Sequence, residues 1–303
     1  MQTAKKKKSK TRKQFLFLIA ITAVPLVQFA IFYVGVNLNS ILLAFRYYSF
    51  DTGYSFAGFG NFERVFYEIA NNALYKTMLV NSLITYVVYV GVGITLALLF
   101  SYFIYKKMPL AGVFRIVLFL PSIISSVIMV LLFKYFTESA IPTLLNNLFD
   151  IEMSGFLSTT KTAQPVLLFY MVWAGFGPQI LMFTGAMNNI SDAVVESAQM
   201  DGITPVKEFV FVTVPLIWPT FVTFMVVSVA GIFTNQLNLY SFYSTAATQS
   251  LWTFGYYLYH QASVSNLPEY PFLAAVGILF TLIAVPLTFL VRWLLEKFGP
   301  SAD

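Results

Sequence analysis

The sequence predicts an all-α, polytopic membrane protein with six transmembrane helices, and three observations carry that prediction. Hydrophobic residues make up 58% of the 303 and charged residues only 10%, against about a quarter charged in an ordinary soluble domain. Six apolar stretches are long enough to cross a hydrocarbon core, which takes about 20 helical residues. A cluster of basic residues (Lys5, Lys6, Lys7, Lys8, Lys10, Arg12 and Lys13) stands directly before the first stretch, the asymmetry that sets membrane orientation. The mean hydropathy of +0.75 and the 32 Phe and 18 Tyr agree with a chain solvated mainly by lipid, because large amphipathic rings collect at bilayer interfaces.

The stretches lie at Phe15–Phe45, Thr77–Tyr105, Leu110–Phe133, Gln164–Met187, Val210–Asn235 and Pro271–Trp293. The first is too long for a signal peptide and lacks a small-residue cleavage site, so it reads as an uncleaved span. With the N-terminus inside, Arg46, Arg64, Lys76, Lys134 and Lys161 fall outside, and the other thirteen of the 18 Lys and Arg fall inside. Because Lys and Arg resist translocation, both termini are expected in the cytoplasm. Residues 1–14 form a basic tail, 15–298 one membrane domain and 299–303 a C-terminal tail. Between the first two spans, Asn61–Ala70 reads as a short interfacial helix within an aromatic-rich segment.

Composition also excludes functions. No Cys is present, and the single His260 cannot build a multi-His metal site. The basic excess is a topology signal rather than a nucleic-acid surface. No charged residue lies in the middle of a predicted span. That disfavours ion- or proton-coupled transport, which needs ionisable groups at membrane depth, and suggests a neutral cargo. None of the 13 lysines follows a Gly, so the phosphate-binding Gly-Lys-Ser/Thr loop is absent. Active transport would draw its energy from another chain. An intramembrane enzyme would require a cluster of catalytic groups at depth, and none is visible.

The segment between the fourth and fifth spans, 190–208, is the most informative. Ser191 is placed to cap a helix at Asp192–Met200. Gly202 can take the positive φ that ends it. Thr204-Pro205 opens a second helix leading into span five, which Pro215 and Pro219 would bend.

Here the chain resembles the sugar-importing, maltose-importer type of ABC-transporter permease. That family carries a Glu-Ala-Ala signature, an Asp-Gly five residues after the Glu, then Phe, Ile-x-Leu-Pro and a second Pro. This chain matches at Glu196, Ala198, Asp201, Gly202, Phe209, Pro215 and Pro219, and departs with Ser197, Ile203, Val212 and Val214. Phe56-Ala57-Gly58-Phe59-Gly60-Asn61-Phe62 and Trp173…Gly175-Phe176 extend the resemblance to roughly residues 15–298. The last outer segment departs, reading Tyr243-Ser244-Thr245-Ala246-Ala247-Thr248 where the family often has Thr-x-Gly-Gly-Pro.

The resemblance implies a type I ABC importer permease that is not itself an enzyme. Glu196, Ser197, Ala198, Asp201 and Gly202 would dock on a cytoplasmic ATPase. A second permease, two ATPase subunits and an extracellular sugar-binding protein would complete the system, in the cytoplasmic membrane of a prokaryote. ATP and Mg²⁺ would be bound by the ATPase, with no cofactor in this chain.

The family's cargo positions, carried over by offset from Glu196, fall near Gly175 and on Gly231, Ile232 and Asn235. Sugar recognition needs aromatic faces for the ring and amide or hydroxyl groups for its OH pattern. Trp173, Phe176, Gln179, Asn235, Gln236 and Asn238 offer both. Helix packing for the two aromatics and interhelical hydrogen bonds for Gln179 and Asn235 stand as equal readings. Tyr86, Tyr89, Ser122, Ser125 and Ser126 are further candidates.

Overall fold

The structure is a computed structural model that describes residues 2–300, with side chains from Arg12 onward. The side chains of Lys5–Lys10, on which much of the orientation argument rests, and residues 301–303 of the expected C-terminal tail lie outside the described residues. Among the described residues, five helical runs are apolar and long enough to span a membrane, or six if a bent pair is one span.

The first contact unit comprises residues 1–67 and 265–279. Helix α1 (Gln2–Gln28) passes through a π-helical stretch, Phe29–Gly35, into α2 (Val36–Ala44). From Arg12 this run exposes its apolar side chains almost throughout, Phe15 at 63% and Phe32 at 68%, as a lipid-facing helix would. A hairpin that sequence patterning did not predict follows, pairing β1 (Arg46–Ser49) with β2 (Gly53–Phe56) in antiparallel register. Gly53, which pairs with Ser49 where the chain re-enters the ladder, is left-handed at φ +69°, a conformation glycine takes without steric cost. Helix α3 (Gly60–Asn71) is the expected short helix between the first two spans. Asn61 Nδ2 donates to the carbonyls of Ala44 (2.8 Å) and Arg46 (2.7 Å), tying α3 to the start of the hairpin. Arg64 pairs with Glu269 at 3.1 Å and lies over the Phe272 ring.

The second unit, residues 68–264 and 280–303, contains the candidate site. Helices α4 (Ala73–Val88) and α5 (Thr95–Tyr105) are joined by a π-helical stretch, Tyr89–Ile94, into one run. Asn81 anchors it: its Nδ2 donates to the carbonyls of Ser250 and Trp252, each at 2.9 Å, and its Oδ1 accepts from Gln164 Nε2 at 3.1 Å.

The third expected span is divided. Helix α6 (Ala111–Ile123) stops where Ile124 and Ser125 turn extended (ψ 144° and 132°), and α7 (Ser126–Tyr135) restarts from Ser125 at the N-cap. A Ser there favours a fresh helix start. The new run continues through a π-helical turn into α8 (Ile141–Phe149), and Ser126–Phe149 is long enough to span by itself. Lys134 and Glu138 therefore sit inside a candidate span, contrary to the expectation that span interiors carry no charge. Both are engaged by backbone: Lys134 Nζ donates to the Phe242 carbonyl at 3.3 Å, and Glu138 Oε1 accepts from the Leu157 N–H at 2.5 Å.

Helix α9 (Thr160–Asn188) packs along α5 and α6. Small residues permit the close approach: Gly93 faces Val172, and a Cβ on Gly177 would lie 2.6 Å from Ser122 Cβ. After it come α10 (Asp192–Met200), α11 (Pro205–Glu208), a π-helical stretch, α12 (Val214–Leu216) and α13 (Trp218–Ala230). The pair Pro205–Leu216 and Trp218–Ala230 meets at 72°, because Pro219 has no N–H to bond the Pro215 carbonyl and its ring crowds that group. The fifth span expected at Val210–Asn235 is thus bent, and its helix ends at Ala230. The chain closes with α14 (Leu239–Tyr243), α15 (Phe254–Val264) and α16 (Tyr270–Phe298). Trp218 Nε1 donates to the Leu295 carbonyl at 3.0 Å.

Candidate translocation pocket and coupling loop

A pocket of about 230 Å³ opens between two helical walls. Ser82, Tyr86 and Tyr89, one helical turn apart on the α4 run, form the first wall. Val227, Ser228 and Gly231 at the end of α13, with Ile232 and Asn235 from the turn beyond, form the second. Among the described residues, no charged side chain lines it.

Most polar groups of the pocket are already engaged. Ser82 Oγ accepts from the Phe254 N–H (3.0 Å), Ser228 Oγ donates to the Met225 carbonyl (2.7 Å), and Asn235 Oδ1 accepts from the Leu237 N–H (2.8 Å). Donors with free capacity remain, Tyr89 and Asn235 among them. Tyr89 Oη accepts from Gln179 Nε2 at 2.7 Å, so its own proton remains available. Asn235 Nδ2 meets only the Met171 thioether at 3.5 Å, a weak acceptor. The Asn235 turn is braced from behind. Thr253 Oγ1 donates to the Asn235 carbonyl at 2.7 Å, and Gly255 sits so close that a Cβ would lie 2.6 Å from the same oxygen. Burial pushes the Tyr256 hydroxyl above its ordinary pKa, and it donates to the Ser244 carbonyl at 2.8 Å.

The expected cargo residues are divided by this geometry. Gly231 and Asn235 line the pocket. Gly175, whose missing Cβ would lie 3.8 Å from Tyr89 Cε2, and Gln179, 3% exposed, stand behind Tyr89 and position it. Trp173 and Phe176 do not line the pocket. Trp173 joins Phe133, Phe169 and Tyr170, and Phe176 is buried edge-on against Phe100 at 5.5 Å. Gly175 and Gln179, four residues apart, share the stripe of α9 that meets Tyr89, whereas Trp173 and Phe176 lie to one side of it and meet other helices. Gln236 lies in the turn, where its carbonyl accepts from Leu239. Asn238 is in the left-handed region there, φ 54°.

The segment 190–208 forms an exposed helix, turn and helix. Ser191 has an N-cap backbone conformation without a side-chain capping bond. At the other end, the Gly202 N–H bonds Gln199 O (3.0 Å) and the Ile203 N–H bonds Ala198 O (3.3 Å). With Gly202 at φ +74°, this is the Schellman arrangement that the glycine makes possible. Glu196, Ser197, Asp201 and Gly202 are exposed. Ala198 turns inward at 7% exposure, so it supports the helix rather than presenting a surface. Met200 (89%) and Val206 (72%) are apolar and open.

This arrangement matches known transport proteins. The family model for binding-protein-dependent transport system inner membrane components matches residues 89–302. The chain belongs to that family. It is therefore a multi-pass inner-membrane permease component of a transport system. The lactose transport system permease protein of Rhizobium radiobacter is 27% identical over 243 residues, covering 78% of this chain and 79% of that one. The maltose/maltodextrin transport system permease protein of Escherichia coli is 31% identical over 185 residues, covering 59% of this permease but only 35% of that longer chain. A bacterial ABC transporter involved in the import of the acidic polysaccharide alginate shares the fold, with a TM-score of 0.76, 19% identity and 97% and 99% of the two chains covered. The same transporter in complex with an alginate pentasaccharide-bound periplasmic protein gives 0.78 at 19% identity.

Sequence reasoning missed three residues of this permease that the structure makes prominent. Ser82 lines the pocket, and nothing in an apolar run marks it. Lys106 is only one of the thirteen charges placed inside, and Glu208 drew no reading of its own. They form a pair at 2.5 Å, with side-chain exposures of 18% and 3%. The available signal was Glu208 standing directly before the apolar Phe209-Val210-Phe211.

Proposed function

We propose that this permease forms half of the path of an ATP-driven importer for a neutral sugar or oligosaccharide, powered by a separate ATPase that docks on 190–208. One observation carries the reading: the exposed helix α10 leads through α11 directly into the bent span whose end walls an uncharged, donor-bearing pocket. Neutral polyols present hydroxyl and ring oxygens, which the free donors of Tyr89 and Asn235 suit; an anionic cargo calls for cations, and the pocket has none. At about 230 Å³ the pocket is smaller than the 300–1,000 Å³ of enclosed ligand sites, as fits one wall of a site completed by a second permease. Lactose and maltose appear in the relatives' names, which supports a sugar cargo.

In this reading both termini lie in the cytoplasm, an extracellular binding protein delivers the sugar, and ATP with Mg²⁺ binds only to the partner ATPases. ATPase closure moves α10, and the bent span passes that movement to the pocket wall. The chain makes and breaks no covalent bond.

The test is reconstitution in liposomes. With the second permease, ATPase, binding protein and ATP, neutral-sugar uptake is expected, and Glu196→Lys should abolish ATPase docking and uptake while the protein remains inserted. Uptake by this chain alone, without partners or ATP, would refute the proposal; import of only an acidic sugar would refute the neutral cargo.

A further inference from the structure

The buried charge pair lies at the junction of two structures that the pocket needs. One wall of the pocket is the α4–α5 run, which ends at Tyr105 and Lys106; the other is reached from α11 through the bent span. These two routes also meet away from the pocket, where α5 ends against α11. Lys106 Nζ contacts Glu208 Oε1 at 2.5 Å, Tyr102 Oη donates to the Pro205 carbonyl at 2.9 Å, and the Tyr102 ring lies 4.8 Å from that of Phe209. Lys106 also lies over the rings of Tyr102 and Tyr105. By contrast, α10 buries only Ala198, so a force on α10 meets its first firm resistance at α11. Nothing about folding α11, a helix of four residues, requires a carboxylate turned inward to 3% exposure. An apolar side chain would fill the position without the desolvation that a buried charge incurs.

We infer that Lys106 and Glu208 are positioning residues that clamp α11 to the end of α5, so that a movement of 190–208 shifts both walls of the pocket together instead of bending span five alone. This rests on the reading of 190–208 as the ATPase contact. The clamp is directional chemistry: a charged pair keeps its geometry under load, because separating it leaves a carboxylate buried without a counter-charge. Apolar packing there would instead let α11 slip along α5.

The experiment uses the complete reconstituted complex and reads ATP hydrolysed per sugar imported. Glu208→Gln and Lys106→Met are expected to leave the ATPase bound and hydrolysis within about twofold of wild type, while raising that ratio at least fivefold. The exchange variant, Lys106→Glu with Glu208→Lys, should return it to within about twofold. An unchanged ratio in the single variants would overturn the clamp, as would release of the ATPase, since the pair would then serve docking. If neither single variant accumulates in the membrane, the exchange variant decides: a ratio near wild type supports the clamp and a raised ratio overturns it. Glu196→Lys separates the two readings. If it retains bound ATPase and normal uptake, the docking assignment of 190–208 fails; if it loses both while Glu208→Gln imports with a normal ratio, only the clamp fails.

Discussion

Replacing Gln179 by Leu isolates what the Tyr89 hydroxyl does in the pocket. Gln179 contributes one hydrogen bond that matters, Nε2–H to Tyr89 Oη at 2.7 Å, and its Oε1 is buried with no partner among the described residues. Removing a neutral hydrogen bond costs about 0.5–1.5 kcal/mol, and relieving a buried oxygen that has no partner returns about 1–3 kcal/mol. Leu is close in volume, so little cavity cost is added. The thermal stability of the purified complex should therefore stay level or rise slightly. Transport should respond differently. Without the amide, Tyr89 loses the bond that holds its oxygen and directs its proton into the pocket, and about 1 kcal/mol of lost orientation is about fivefold in apparent affinity. The assay is a double-mutant cycle on the sugar concentration for half-maximal uptake, using Gln179→Leu, Tyr89→Phe and both. If Gln179 acts through Tyr89, its substitution has no further effect once the phenol is gone. Effects that simply multiply would refute the positioning role, and a loss of stability above about 1 kcal/mol would refute the account of Oε1.

Other changes test neighbouring parts of the structure. In Gly255→Ala the new Cβ would lie 2.6 Å from the Asn235 carbonyl oxygen, and backbone cannot swing away as a side chain can. About 1–3 kcal/mol of overpacking should appear as a lower melting temperature together with weaker uptake; wild-type values for both would show that the contact is looser than the structure has it. Gly202→Ala forces an L residue into the left-handed region, φ +74°, at about 1–2 kcal/mol. The end of α10 should fray and be cut severalfold faster in limited proteolysis, with Gly202→Asn milder because Asn tolerates that conformation. Equal cutting rates in all three proteins would dismiss the cap.

How much of this was legible in the sequence depended on whether the signal was local. Apolar run length located five of the six spans, since lipid allows little but helix and composition reports lipid directly. Ser191, Gly202, Thr204 and Pro205 marked the ends of α10 and α11, because caps and left-handed turns are chosen by the residue itself. Pro215 and Pro219 announced the 72° bend for the same reason.

Apart from the local hairpin at Arg46–Phe56, the misses involved partners distant in the chain. The break at Ile124–Ser125 and the extension to Phe149 escaped notice because Lys134 and Glu138 look like a span boundary until Phe242 and Leu157 are seen to hold them. Trp173 and Phe176 were chosen for their chemistry, and what their stripe of α9 faces depends on which helices pack there.

By itself, then, the sequence determined a lipid-solvated helical chain, five of its six spans and the shape of the loop 190–208, all consequences of interactions within a few residues. Only the tertiary structure decided which side chains meet: Tyr89 with Gln179, 90 residues apart, and Lys106 with Glu208, brought together across the five intervening helices α6 to α10. A hydrogen bond or an ion pair depends on distance in space, and one-dimensional spacing does not record it.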